Sequence, residues 1–320
     1  MSFDCTQRLK SRVFESVNPS FANLLEWNRR PDAAFVHVER ADAAYRRLGR
    51  RGQMDTMAVL LAVRGTTTVR EATRACERSL ARHPDSPRVR AYLLVYLGVL
   101  RALNGDSAGA REAAAAARSH LQELGEEVGL GTSAAAMFGD IEAILGDWPR
   151  TREVFEQGLG YTRDRPEYRD WQGYFLARLG ETALERADPY AAASLADEAR
   201  GLATPADADT NIWWRRVAAR ALAATGQAPK ALRLAREAIS IADTTEDVFL
   251  RSGARLDLAE VQLNAGRTSV ALSLVREALE LLDGKGAVLP AARARERFAE
   301  LLAGVEGEGA ASAAPSDRRG

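Results

Sequence analysis

Residues 208–247 read ADTNIWWRRVAARALAATGQAPKALRLAREAISIADTTED, and residues 248–284 read VFLRSGARLDLAEVQLNAGRTSVALSLVREALELLDG. The second stretch is a copy of the first displaced by forty positions. Ala231 falls on Ala271, Leu234 on Leu274, Glu237 on Glu277, and Gly226 on Gly266. Each stretch carries a helical apolar spacing on both sides of its glycine, the pattern of two helices joined by a tight turn.

Outward from this pair, small turn residues recur at Gly65, Gly105, Gly146, Ala187, Gly226 and Gly266, in steps of 40, 41, 41, 39 and 40. A period in this range is the signature of a helical solenoid. Glycine suits a helix end because it takes φ > 0 without a Cβ clash. At Ala187 the pattern breaks, but Asp188-Pro189 restarts a helix at its first turn. Seven residues before each turn stand Ala58, Gly98, Gly139, Gly180, Ala219 and Ala259. Five after stand Arg70, Ala110, Thr151, Ala192, Ala231 and Ala271, and twelve after stand Glu77, Ala117, Gly158, Ala199, Ala238 and Ala278. Small residues at fixed places let helices cross closely. The first hairpin departs from the last two columns.

The expectation is an all-α, right-handed α-solenoid of about six hairpins with helical caps. First helices are predicted near 53–64, 88–104, 132–145, 168–186, 210–225 and 248–265. Second helices are predicted near 68–82, 107–124, 149–163, 189–203, 228–243 and 268–283. HPDSP at 83–87, TPADAD at 204–209 and DTTED at 243–247 mark the loops between pairs. Residues 1–51 read as N-terminal capping helices and an incomplete leading hairpin, broken at Asn18-Pro19-Ser20 and at Pro31. The array runs over 52–286. Residues 287–303 form a closing helix with Ala, Arg and Glu on its outer face, and 304–320 a small, polar, disordered tail.

Composition agrees. Of 320 residues, 46% are hydrophobic and 28% charged, and the formal net charge is zero. Ala, Leu, Arg and Glu, all strong helix formers, dominate. The chain lacks the basic footprint of a nucleic-acid binder. Only three of its 44 basic residues are lysines, which reads as GC-rich coding, with an Arg-lined groove for phosphate or carboxylate as the alternative. Cys5 and Cys76 are far apart and form no CxxC pair, which points to a reducing compartment. Nothing approaches the ~18 apolar residues of a membrane span, and the first residues carry no apolar signal core. A cytoplasmic protein, a monomer or weak dimer, is expected.

The helix-turn-helix period and small-residue columns resemble tetratricopeptide repeats, with a period about six residues longer than the usual 34 and without their Trp and Tyr signature positions. The runs GTTTVREATRACERSLARHPDSPRVRAYLLVYLGVLRALNGDSAGAREAAAAARSHLQELG, IWWRRVAARALAATGQ, DLAEVQLNAGR and KGAVLPAARARERFAELL resemble a more specific arrangement over about residues 33–303. It is the C-terminal tetratricopeptide-like region of actinobacterial signalling proteins that carry a class III cyclase domain and a signal-transduction ATPase before it. The resemblance implies a sensing or scaffolding role in bacterial signalling or transcriptional control. It places the family's cyclase and ATPase domains before residue 1, so the chain is expected to be a free-standing array or a fragment of a longer regulator. No catalytic residue carries over.

No constellation announces chemistry. His37, His83 and His120 stand apart from metal-ligand spacings. Asp207-Ala-Asp209-Thr-Asn211 lacks the glycine and twelfth-position glutamate of a calcium loop and reads as helix capping by Asp209 or Thr210. GEEVGLGTSAAA at 125–136 lacks a phosphate-loop lysine and reads as an inter-repeat loop. RRLGRRG at 46–52 reads as an exposed basic turn, with an acidic-partner or phosphate contact as the alternative. No catalytic, cofactor or metal site is expected.

Aromatic residues on the first helices carry the binding expectation, because aromatics and Arg are the usual hot-spot types. Tyr92 and Tyr96 are an i, i+4 pair. Trp171 and Tyr174 cluster on the fourth first helix. Trp213 and Trp214 point about 100° apart, so one of them packs and the other is exposed. By the tetratricopeptide resemblance, first helices line the concave face. The candidate groove is Tyr92, Tyr96, Trp171, Tyr174, Trp214, Arg215 and Arg251, holding a protein or peptide partner. The alternative is a small-ligand sensor with a closed pocket inside the superhelix, around Trp171 and Trp214.

Overall fold

The computed structural model describes residues 30–34, 37–38, 54–299 and 301. The expected N-terminal helices, apart from residues 30–34 and 37–38, the basic run at 46–52, Cys5 and the tail after 303 lie outside the described residues.

Among the described residues the structure is α-helical, with one 3-10 turn at Pro166–Tyr168 and no strand. Six antiparallel pairs follow one another: α1 (Asp55–Arg64) with α2 (Val69–Arg82), α3 (Pro87–Leu103) with α4 (Ser107–Glu123), and, after a short α5 (Glu127–Gly131), α6 (Ser133–Leu145) with α7 (Trp148–Thr162). Next come α8 (Arg169–Glu185) with α9 (Pro189–Leu202), α10 (Ala208–Ala224) with α11 (Ala228–Ala242), and α12 (Val248–Asn264) with α13 (Thr268–Lys285). Helix α14 (Val288–Arg297) closes the series. Each pair packs internally and on the next, the arrangement of a right-handed solenoid.

The turns inside the pairs share one chemistry. Gly105, Gly146, Gly226 and Gly266 have φ between 70° and 87°, and Ala187 takes the same left-handed conformation at 58°. After three of these residues an aspartate caps the next helix. Asp106, Asp147 and Asp188 accept hydrogen bonds from the amides of Gly109, Arg150 and Ala191. Such caps satisfy orphan donors of the first turn. Gly65 departs from the expectation. Its φ is −77° and its backbone is extended, because the chain enters α2 through a capping box between Thr68 and Glu71. Glycine is required there by proximity: an added Cβ would lie 2.4 Å from the Asp32 carboxylate.

The small-residue columns mark close helix crossings. A Cβ on Gly139 would fall 2.1 Å from the Phe155 ring, and one on Gly98 3.1 Å from the Ala110 carbonyl. Ala110, Thr151, Ala192, Ala231 and Ala271 are fully buried. In the first hairpin Arg70 and Glu77 are exposed, and α2 buries Ala72 and Cys76 instead.

Three local expectations are corrected. The stretch 125–136 is not a plain loop, since residues 127–131 form α5. Its glycines admit aromatic side chains, with Gly129 facing the Tyr92 hydroxyl and Gly131 the Tyr161 ring. The cap of α10 is Asp207, which accepts from the Thr210 amide; Asp209 and Thr210 do not cap it. Finally, α14 keeps Ala292, Arg295, Glu296 and Arg297 outward as expected, but not its other alanines. Ala291, Ala294 and the following Phe298 are buried, because α14 reaches back to pack on α3 and α6.

That return makes the solenoid curl on itself. Lys285, at the end of α13 and 1% exposed, donates to the carbonyls of Ala62, Gly65 and Thr67 around the end of α1, at 2.7, 2.6 and 2.6 Å. Arg64 lies 3.7 Å from Asp247 at the start of α12. Glu246 accepts the Ala33 amide at 2.9 Å, and Arg293 of α14 donates to the Ala143 carbonyl of α6 at 3.2 Å. The first and last pairs thus meet, and the concave face bounds a half-open interior.

Candidate interior binding site

The interior is a cavity of about 690 Å³ walled mainly by first helices and α14. Each first helix offers one stripe. On α8 it is Tyr174, Arg178, Glu181 and Glu185; on α10 it is Asp209, Trp213, Arg216 and Arg220. Both have i, i+4, i+7, i+11 spacing, which keeps four side chains on one helical face. Tyr174, Trp213 and Gly253 all stand thirteen residues before their turn residues.

The walls differ in character. On the α8–α10 side, Arg178 and Arg216 lie over the Trp213 ring, 4.1 and 4.0 Å from its centroid. Gly253 makes room for the second, since a Cβ there would sit 2.6 Å from the Arg216 guanidinium. Arg178 pairs with Asp140 at 3.0 Å and Glu181 at 2.5 Å, and the Tyr174 hydroxyl donates to Asp140 at 2.8 Å. Arg216 donates to Asp257 at 2.6 Å. Arg220 joins Glu185 at 2.9 Å and Glu260 at 3.1 Å. Acid and base therefore alternate across α6, α8, α10 and α12, which satisfies charges that burial would otherwise penalise. Burial opposes ionisation of Asp257, but Arg216 and Arg220 outweigh it and hold the carboxyl below its usual range. Burial, with Asp140 beside it, drives the Tyr174 phenol well above its ordinary value. The lining also has an apolar part, with Val99 and Leu103 of α3, Ile144 of α6, Trp148 of α7, Leu256 of α12 and Pro290 of α14, and α14 adds Arg293, Glu296 and Arg297.

Of the seven residues expected to form a groove, Tyr174 reaches this cavity. Trp171 packs beneath it, its ring centroid 6.2 Å from those of Tyr174 and Phe175. Tyr96 is buried in the core of the first pairs, and Tyr92 is half-buried against Gly129. Trp214 is a correction. It is 7% exposed and belongs to the α8–α10 core, with Arg215 stacked on it at 4.1 Å and pairing with Glu237 at 3.2 Å. Helical rotation puts Trp213, not Trp214, on the interior. Arg251 lies on another face, 3.7 Å from Asp243. The pocket expected around Trp171 and Trp214 is instead built around Tyr174 and Trp213. Sequence reasoning missed Trp213, Arg178, Arg216, Arg220 and Arg293. The thirteen-before-turn column was the signal that could have found the first.

Among the described residues, no group of three or more His, Cys, Asp and Glu side chains is placed to hold a metal ion, and no helix is long and apolar enough to cross a membrane.

No family model and no curated protein matches the chain. Solved structures do. The Cut9–Hcn1 hetero-tetramer of the APC/C has a chain that is 14% identical, with 92% of this chain and 60% of that chain covered and a TM-score of 0.51. A kinesin light chain from Podosopora anserina with nearly identical TPR-like repeats is 16% identical, covers 62% of this chain and 96% of its own, and gives a TM-score of 0.40. Yeast Tom70 is 13% identical over 83% of this chain and 60% of its own, with a TM-score of 0.45. The chain thus spans about 60% of the matched Cut9–Hcn1 and Tom70 chains. The Cut9–Hcn1 likeness, together with the consecutive helix pairs, shows the fold: a right-handed α-solenoid of tetratricopeptide-like hairpins.

Proposed function

We propose that this chain is a non-catalytic regulatory binding module that takes a compact ligand inside its superhelix and offers its outer surface to a protein partner. The observation that carries the reading is the meeting of the first and last pairs, which bounds the concave face into a half-open interior. An extended peptide needs an open groove, whereas here the first and last pairs meet through Lys285 and α1. The remaining interior, about 690 Å³, lies within the range of small-molecule sites, ~300–1,000 Å³. Its mixture of apolar wall and a few fixed polar groups is also typical of them. The sequence resemblance to actinobacterial cyclase–ATPase–tetratricopeptide regulators supports a setting in bacterial signalling, in the cytoplasm.

A second reading keeps a protein or peptide on the concave face itself. The half-open side of the interior leaves room for a chain segment to enter, and this is what favours that reading. One experiment separates the two. Purified protein and an Ala143→Phe variant, which adds a ring to the cavity wall, are heated with fractionated cytoplasmic metabolites. They are also used as bait for cytoplasmic proteins. The ligand reading expects a metabolite fraction that raises the Tm of wild type and not of the variant. A wild type unmoved by every fraction, together with a protein partner lost in Ala143→Phe, would support the second reading.

A further inference from the structure

We propose that the interior site recognises an apolar monocarboxylate, whose acid group pairs with Arg293 and whose body lies along the apolar wall. This deepens the interior-binding reading and rests on it. The other arginines on the cavity, Arg64, Arg178, Arg216, Arg220 and Arg297, each form an ion pair with a carboxylate. Arg293 forms none among the described residues. Of its five N–H donors, Nη1 is used on the Ala143 carbonyl at 3.2 Å. A guanidinium offers a planar fork that binds a carboxylate through two parallel hydrogen bonds.

The surroundings define the rest of the ligand. Arg293 comes from α14 and reaches across to Gly146, where an added Cβ would lie 2.5 Å from its Nη2. The guanidinium therefore borders a cavity whose lining also includes the apolar Ile144, Trp148, Leu256 and Pro290. Burial lowers the Arg293 pKa, against the weaker pull of Glu296 and Glu185, so a bound anion would relieve a charge that is short of solvent. The acid–base network of α6, α8, α10 and α12 already pairs its charges internally, so it adds polarity without demanding a second ionic group. A ligand with one carboxylate and an unbranched or aromatic body suits both parts of the lining.

The test uses decanoate, with decanol and decylammonium as neutral and cationic analogues. Binding is read by calorimetry and by fluorescence, since Trp148 and Trp213 line the cavity. Wild type, Arg293→Gln, Arg293→Lys and Ala143→Phe are compared, each first shown to have the wild-type circular dichroism spectrum and a cooperative melt. The expected result is decanoate binding at least tenfold tighter than either analogue. Arg293→Gln should lose tenfold or more for decanoate and little for decanol, with Arg293→Lys partly restoring the loss. Equal binding of decanoate and decanol, or an unchanged Arg293→Gln, would overturn carboxylate recognition. If Ala143→Phe still abolished that binding, the interior-binding reading would stand. Decanoate binding that Ala143→Phe leaves intact would overturn both. Absence of binding by all three probes would overturn the monocarboxylate assignment, leaving the interior reading to the metabolite fractions.

Discussion

The Lys285 ammonium lies 2.6 Å from the carbonyl oxygen of Gly65, although 220 residues separate the two. With Ala62 and Thr67 it completes a set of three carbonyl acceptors, one for each N–H of the ammonium. A buried carbonyl without a partner costs about 1–3 kcal/mol. Lys285→Met removes all three donors while nearly keeping the stem's volume. We expect a loss of roughly 2–4 kcal/mol in denaturant unfolding and a larger radius of gyration in small-angle scattering, as the first and last pairs part. A variant as compact and stable as wild type would show that the clasp does not hold the superhelix closed.

The same residue gives a pH dependence. Burial pushes the Lys285 ammonium down to about 8, against the pull of Asp247 and Asp32. Between that value and the unfolded ~10.4, the unfolded chain binds more protons than the folded one. Stability contributed by this group therefore rises with pH across the window. The stability difference between wild type and Lys285→Met should grow from pH 7 to pH 10, and a gap that shrinks would contradict the burial argument.

Glycines at the crossings and on the surface should respond oppositely to alanine. At Gly139 the new methyl would meet the Phe155 ring at 2.1 Å, whereas at Gly160 it would meet nothing within 4 Å. Overpacking costs about 1–3 kcal/mol, and removing a glycine from an open helix position gains roughly 0.5–1 kcal/mol. Gly139→Ala should melt earlier than wild type and Gly160→Ala later. The same sign for both would refute the packing explanation of the small-residue column.

The fold was largely legible in the sequence because its spacing is carried by turn residues. A left-handed turn followed by a capping aspartate, as at Gly105-Asp106 and Gly146-Asp147, needs particular residues at particular places, and the forty-residue step repeats them. The interior site was less legible. A helix in a solenoid has two buried faces, one toward its neighbours and one toward the concave interior, and both accept Trp and Arg. Periodicity alone could not separate Trp213 from Trp214. The Lys285 clasp was not legible at all, since it depends on how far successive pairs rotate, a sum of small angles that no single residue sets.

Cys76 should be chemically silent in the native protein. It is fully buried, its thiol donates to the Leu93 carbonyl at 3.2 Å, and burial pushes its pKa up to about 12. Thiolate is the reactive species, so labelling of Cys76 by iodoacetamide at pH 8 should require unfolding. Peptide mapping after labelling with and without denaturant isolates this residue from Cys5. Rapid native labelling at Cys76 would mean that α2 opens from α3 far more readily than their packing implies.

The two adjacent tryptophans should separate stability from interior chemistry. Trp214 is 7% exposed within the α8–α10 core, and truncating a buried indole costs about 3–5 kcal/mol through lost contacts and a residual cavity. Trp213 already borders a cavity. Its chief partners are the guanidiniums of Arg178 and Arg216, each contact worth roughly 0.5–2 kcal/mol. Those arginines keep their carboxylate partners when the ring is removed. Trp213→Ala should therefore cost less than Trp214→Ala in denaturant unfolding, yet enlarge the interior and alter the affinity of whatever binds there. Trp214→Ala, if studied where it remains folded, should leave that affinity nearly unchanged. The reverse ranking in either measurement would return Trp214 to the binding face and remove Trp213 from it.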